Sequence, residues 1–552
     1  MVKNNILFLV FIFCFITETV YSQISKEEES AFSVLSKNKY KSHLQFLSDD
    51  LLEGRAPATR GDKIALKYIE AQFRLNNLTG GATNSSFVQQ VPIIGMTSDP
   101  NMELIANKNG KNERFKFREE FIGFSGLQEN EVNFENAEIV FVGYGIDAPE
   151  QKWNDYKDVN VKGKVLLMMN NDPASDDPKF FAGKGRTYYG RWTYKYEIAA
   201  KKGALGAIII HTTESAGYPF QVVQTSWSRE RFSLANSNEK PILLKSWLTE
   251  DATKRLLQLS GHSLSQLVES AQSRSFKPVA LGINASITIQ NSIRALSTGN
   301  VLGVIKGSDP ILSEEYVLIS AHHDHLGISS KPINGDSINN GAMDNASGVS
   351  MLLTLAEGFA LLKNPTKRSL IFVSLAAEES GLLGSEFYAA NPTIHPSKIV
   401  ANVNMDGINM FGETRDVAMV GKGKSTIDKN VEETANIFGM KVKSDQYPEL
   451  GFFYRSDQFN FAKIGIPPVY LDAGADFVGK PEGWGKQKAE EYTAKDYHQP
   501  SDEIKEEWNY DGTVQMSKFY FHLINQLANQ KVNPVWNKGD EFERARFESF
   551  KK

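Results

Sequence analysis

The sequence predicts an α/β fold: a mostly parallel sheet covered by helices on both faces, with a smaller β-rich module inserted ahead of it. Three observations carry this. From Asn300 onward, short apolar runs alternate with helical patterns, as in a parallel sheet sandwiched between helices. Between residues 131 and 275 the texture is strand-rich, with closely spaced turns. And 552 residues exceed what one compact core accommodates.

Taken in order, Lys3 precedes an apolar run over 6–16, and a polar stretch then closes on Val20-Tyr21-Ser22. This reads as a secretory signal, residues 1–22: a charged start, an apolar stretch too short to span a bilayer and a small residue at the cut. The only cysteine, Cys14, lies inside it. The exported chain is therefore expected to carry no thiol, and any metal must be held by histidines and carboxylates. Residues 23–130 are assigned to the first part of the main domain, where 64–73 (IALKYIEAQF) has helical spacing behind the start signal Gly61-Asp62. The module over 131–275 carries strands at 139–143, 164–169 and 207–211 and a helix at 194–202 ended by Gly203. Residues 276–552 return to the main domain, with strands at 316–321, 370–375, 399–404 and 468–471 and helices at 347–362 and 511–530. The tail beyond Asn533 is expected to be irregular chain or a frayed helix. No segment after the first approaches transmembrane length, so no stable membrane insertion is expected. A net charge of -5 gives no global attraction to nucleic acid.

Of nine histidines, His322, His323 and His325 fall in one run, AHHDHLG, directly after the strand 316–321. Sites in open α/β sheets gather at the carboxyl ends of strands. In His-x-Asp, His322 can hold a metal through one nitrogen while Asp324 takes the proton of the other; a solvated polar loop is the plainer alternative. Asp344, in GAMDNASG, sits where a loop enters the helix at Ser347. A helix cap explains it alone, but a carboxylate shared by two cations needs the same rigid turn. Glu378 and Glu379 end a buried apolar strand, where unpaired charge is costly. Neighbours on extended chain point to opposite sides, so one can hold a cation while the other faces the attacking water. Asp406 ends another apolar strand, and His498 lies in the polar loop YHQPSD. Each alone is explained by a structural role. Together they offer nitrogen and oxygen ligands without sulfur, a set that suits a hydrolytic zinc or similar divalent pair.

The order of these motifs closely resembles the M28 family of metallopeptidases: His-x-Asp, Gly-Ala-x-Asp-Asn-Ala-Ser-Gly, Glu-Glu, Asn-x-Asp, then Tyr-His-x-Pro-x-Asp. LLEGR at 51–55, Ser456-Asp457 and Gly465-Ile466-Pro467 fit the same pattern. VGYGI at 142–146, VKGKV at 161–165 and KGALGAI at 202–208 resemble a protease-associated (PA) domain. The resemblance implies a zinc-exopeptidase type of fold and two divalent ions, zinc. His322 and Asp406 would hold one, Glu379 and His498 the other, and Asp344 would bridge them. Asp324 would orient His322, and Glu378 would be the general base. Tyr454 and Tyr470 are candidate oxyanion donors, weighed against structural roles. His323 stands where the family often has Tyr, Met343 where it often has Asp, and the segment from Gly327 to Gly341 is longer than usual. The implied activity is release of N-terminal residues from peptide or protein substrates by an exported enzyme, periplasmic or extracellular, with a homodimer as an analogy. A carboxypeptidase acting on acidic C-termini, a glutaminyl cyclase-like enzyme and a non-enzymatic receptor-like protein are the alternatives. The inserted module counts against the cyclase, and the complete ligand set counts against the receptor.

Overall fold

The computed structural model describes residues 24–551 other than 178 and 236–239; the expected signal over 1–22, with Cys14, lies outside the described residues. Two hydrophobic cores are joined by one long strand, Val279–Ile305. Its second half pairs antiparallel with Val88–Ser98 and, at its end, with Ser369–Leu375. From there the sheet is parallel. Tyr316–His322 lies between Ser369–Leu375 and Ile399–Asn404, and Pro468–Ala473 follows. Asp416–Val420 closes the sheet antiparallel to Pro468–Ala473 and carries Lys441–Ser444 beside it.

Every residue of Ser369–Leu375 and Ile399–Asn404 is buried, which is why these strands read as unbroken apolar runs rather than alternating ones. One face is covered by helices Arg60–Leu75, Ser347–Ala360 and Asp511–Asn529, which bring Phe73, Leu352 and Phe521 into the larger core. The other face is covered by Leu383–Ala390 and Gln458–Lys463, whose Tyr388 and Phe461 pack on Ile371 and Val373.

The first half of the long strand belongs to the second core. It pairs antiparallel with Glu103–Lys108 and Glu131–Phe141. Val165–Met169, Gly206–His211 and Leu244–Thr249 continue that sheet in parallel. Lys111–Lys116 and Phe121–Phe124, which also precede residue 131, pair into it as well.

The expected strands and helices recur, most with ends shifted by a few residues; the strand expected at 139–143 is Glu131–Phe141, which begins eight residues earlier. The tail differs. Beyond Asn533 it folds back on the molecule: Trp536 Nε1 donates to Gly465 O at 2.9 Å, and the helix Glu543–Ser549 is pinned by Arg546 donating to Pro396 O and Ile399 O. Its apolar anchors, Trp536 and Phe542, are too few for a visible period but enough to dock it. Among the described residues, no helix is long and apolar enough to cross a membrane.

Candidate metal centre

Parallel pairing decides where the chemistry-bearing residues stand. His322 is in register with Leu375, and Ser320 with Asn404. The carboxyl ends of three neighbouring strands are therefore level, and His322, the Glu378–Glu379 pair and Asp406 emerge along one edge. Asp344 comes from a wide turn, Ala342–Ala346, that enters the helix Ser347–Ala360. That turn needs Gly341: its φ is +53°, and a Cβ would stand 2.3 Å from Asp344 O and 2.5 Å from the His325 ring. His498 follows the helix Trp484–Lys495 with a left-handed backbone, φ +60°.

All five predicted ligands converge, with Asp344 at the centre. Its Oδ1 is 3.3 Å from His322 Nε2, which is 3.2 Å from Asp406 Oδ1. Its Oδ2 is 3.3 Å from His498 Nε2, which is 3.1 Å from Glu379 Oε2. His325 joins them unpredicted. The sets His322–Asp344–Asp406 and His325–Asp344–Glu379 each place their ligand atoms within 4.8 Å of one another. His325 Nδ1 lies 2.7 Å from Glu379 Oε1. Yet the two are not aligned as a hydrogen bond, and neither they nor His325 Nε2 have a hydrogen-bond partner among the described residues. Buried polar atoms that converge without bonding one another fit a cation. Nitrogen and oxygen donors fit a divalent one.

The electrostatics agree with this. Burial opposes the charge on His322, but the carboxylates of Glu378 and Asp406 hold its pKa well above the usual range. Burial likewise opposes His498, and Glu379 and Asp344 carry it up to about 9. Asp344 and Glu379 resist burial through the facing histidines, Asp344 falling well below the carboxylate range and Glu379 to about 2. Glu378 goes the other way. Burial pushes its pKa well up, and Asp406 and Glu379 add to the rise against the pull of His322.

The glutamate pair departs from expectation in its backbone. Glu378 and Glu379 are not on extended chain: Ala377 is left-handed, φ +54°, and the pair opens a single helical turn, Glu378–Ser380. Asp324 is the cause. Its carboxylate accepts from Glu378 N–H at 2.9 Å and Glu379 N–H at 3.3 Å, which folds the chain toward it. His322 Nδ1 is 3.3 Å from the Asp324 carbonyl oxygen and 3.8 Å from its Oδ1. Asp324 thus holds the glutamates as well as standing behind His322.

Several supporting groups lie outside the expected ligand set. The buried Arg55 donates to His323 O and Asn340 O at 2.7 Å, to Gly341 O at 3.0 Å and to Leu47 O, clamping the histidine loop to the Asp344 turn. Asp502 accepts from Met343 N–H and Asp344 N–H, both at 3.0 Å. Ser226, from the helix Phe220–Trp227 of the second unit, donates to Val222 O and lies 2.8 Å from His498 Nδ1. Its single proton is taken, so it accepts from His498 Nδ1–H and leaves Nε2 free to bind. His323 is structural, held between Ser374 Oγ and Asp62 Oδ1. The extended segment after Gly327 forms a two-stranded ribbon, Gly327–Ile333 with Asp336–Asn339. Tyr454 donates to Glu541 at 2.6 Å in a separate aromatic cluster. Tyr470 lines a cavity of about 510 Å³ that also reaches Asp344, Glu378 and Asp406.

Sheet, strand-end residues and sulfur-free donors define the class: an α/β protein with a divalent-metal centre. Residues 300–524 match the model of Peptidase family M28. Aminopeptidase Y of Saccharomyces cerevisiae is 27% identical over 255 residues, 46% of this chain and 43% of the relative. Leucine aminopeptidase 2 of Trichophyton rubrum is 27% identical over 265 residues, 46% of this chain and 47% of the relative. The chain thus spans less than half the length of these curated relatives. An aminopeptidase from Aneurinibacillus sp. strain AM-1 shares the fold, with a TM-score of 0.52 over 91% of this chain and 96% of that one at 18% identity.

Proposed function

We propose that this chain is an exported two-zinc aminopeptidase that releases N-terminal residues from peptides. The observation that carries the reading is the division of Asp344, one oxygen facing His322 and the other His498. His322 and Asp406 would hold one cation with Asp344; Glu379 and His498, with His325 beside them, would hold the second. Bound there, the ions would polarise a carbonyl oxygen and make water more acidic. Glu378 is the residue that moves the proton. It borders the cavity, and its burial favours the protonated form it must adopt midway, between taking the proton from the attacking water and giving it to the leaving amine. Tyr470 is the remaining candidate to donate to the oxyanion, since the Tyr454 hydroxyl is engaged by Glu541. The names of the relatives favour action at free N-termini. The large cavity, walled by Phe411, Tyr447, Phe477 and Tyr492, would take an apolar side chain. We assign residues 1–22 to an export signal and 131–275 to a PA domain that roofs the site.

The test is metal content and hydrolysis of free against N-blocked peptides, with Glu378→Gln alongside. Two ions per chain, cleavage of free N-termini only, and a variant that keeps its metal but loses turnover by at least about 100-fold are expected. Cleavage only at acidic C-termini would instead favour the carboxypeptidase, and a metal-free, inactive protein would overturn the reading.

A further inference from the structure

Beside Glu378, and sharing Arg455 and Tyr497 with the large cavity, lies a second cavity of about 100 Å³ between the second unit and the sheet. Three arginines line it: Arg191 and Arg231 from the second unit, and Arg455 from the sheet side. Arg191 and Arg231 are only 5% and 6% exposed. Arg191 Nε and Nη1 and Arg231 Nε have no hydrogen-bond partner among the described residues. None of the three is ion-paired with a carboxylate among those residues. The two carboxylates on the wall act on the arginines only across a distance, Glu378 on Arg191 and Glu379 on Arg231, and Glu379 faces His498 and His325.

Arg231 Nη1 donates to Ser226 O at 3.2 Å, and aromatic rings flank the guanidiniums. Arg231 stands 5.2 Å from the centre of the Phe124 ring and 5.3 Å from that of Trp227; Arg455 stands 5.2 Å from both Tyr218 and Phe452. Ring contacts hold such a group by its face and leave N–H groups of its edge, here Arg191 Nε and Nη1 and Arg231 Nε, free to grip a carboxylate. Burial, with Arg455 pressing on Arg191, lowers the pKa of Arg191 and Arg231 only to about 10, so both are charged at neutral pH. Buried, unpaired positive charge around a small cavity is costly without an anion to fill it.

We propose that this cavity is a carboxylate-binding subsite, so that favoured substrates carry an acidic side chain or a free C-terminal carboxylate next to the bond that is cut. The proposal rests on the peptidase reading above. Its volume suits a carboxylate on a short stem and excludes a large side chain.

The experiment uses the zinc-loaded full chain and three matched peptide pairs: Glu against Gln at the N-terminal position, Glu against Gln at the next, and a dipeptide with free against amidated C-terminus. In one pair kcat/KM is expected to favour the carboxylate by about 10- to 100-fold, mostly through KM. That pair identifies the source of the carboxylate. The ratio should fall toward one in Arg191→Met and in Arg231→Met and return in part in Arg191→Lys. Ratios near one in all three pairs, with neutral peptides still cut, would overturn the subsite and leave the peptidase intact. An unchanged ratio in both methionine variants, folded by circular dichroism, would overturn its location. If no peptide is cut, the peptidase reading fails. Calorimetry with free glutamate and glutamine then decides the subsite: selective glutamate binding supports it, and equal or no binding overturns it.

Discussion

Ser226→Ala isolates what the second unit does for the metal centre. The hydroxyl is 2.8 Å from His498 Nδ1 and is the only partner that nitrogen has among the described residues. Without it, a buried N–H loses its acceptor, and the tautomer with the proton on Nε2, useless as a ligand, gains population. Losing one such bond costs about 1–2 kcal/mol, and outer-shell substitutions weaken metal binding by roughly 10- to 100-fold. The low end is expected, since Asp344 and Glu379 still hold the ring's other edge at 3.3 and 3.1 Å. The effect should fall mainly on one ion: the Ser226 hydroxyl bonds Val222 and His498, and neither His322 nor Asp406, among the described residues. Chelator competition with cobalt or zinc should resolve two affinities, one about tenfold weaker in the variant and one unchanged, with Ser226→Thr close to wild type. Two unchanged affinities, or two that fall together, would refute the idea that the second unit sets the orientation of His498.

Two further substitutions probe the frame. Arg55→Lys replaces a fork that donates to four carbonyl oxygens with an ammonium that cannot reach all of them. Loss of two bonds should lower stability by roughly 3 kcal/mol and loosen both metal-bearing loops, read as a lower melting temperature and weaker metal retention; an unchanged melt would rule out the clamp. Burial, with Lys39 adding to it against Glu357, holds His43 at a pKa of about 4. This is below its unfolded value of about 6.5, so between those pH values the unfolded chain binds a proton that the folded chain refuses. Stability should therefore fall on acidification through that window, by up to roughly 3 kcal/mol from this residue. His43→Leu should flatten the pH dependence of denaturant midpoints between pH 6.5 and 4, leaving the contribution of His211, which burial also holds at about 4. An unaltered slope would mean that His43 is not the titrating group.

What could be read in the sequence was what local chemistry fixes. The strands ending at His322, Leu375 and Asn404 are buried on both faces, so their apolar runs were unmistakable, and acidic or histidine residues at their ends stood out. The long strand Val279–Ile305 was not legible, because its first half faces one sheet, its second half another, and the middle is half exposed with no single period. His325 was visible as the third histidine of its run. Its role was hidden because the neighbour it meets, Glu379, is brought near by the turn that Asp324 imposes, and extended-chain reasoning cannot anticipate that turn. Ser226 had no signal at all: one hydroxyl on a helix 272 residues from its partner in sequence.

The same distance explains why substrate preference is harder to read than chemistry. Glu378 borders both cavities, so a scissile bond placed over it has one flank in each. The larger cavity draws its aromatic wall chiefly from segments after Met405, which belong to the sheet and its loops. The smaller draws two of its three guanidiniums from the second unit. On the proposed reading, proton transfer and metal binding rest on strand ends, the Asp344 turn and the His498 loop, all of which follow the long strand in sequence. If the proposed subsite holds, preference on one side of the bond depends on residues of the second unit, brought to the site only by tertiary packing. Arg455 and Tyr497 line both cavities and tie the two walls together. A change in how the second unit sits should therefore alter preference and the orientation of His498 together, while the set His322–Asp344–Asp406 stays as the sheet register holds it.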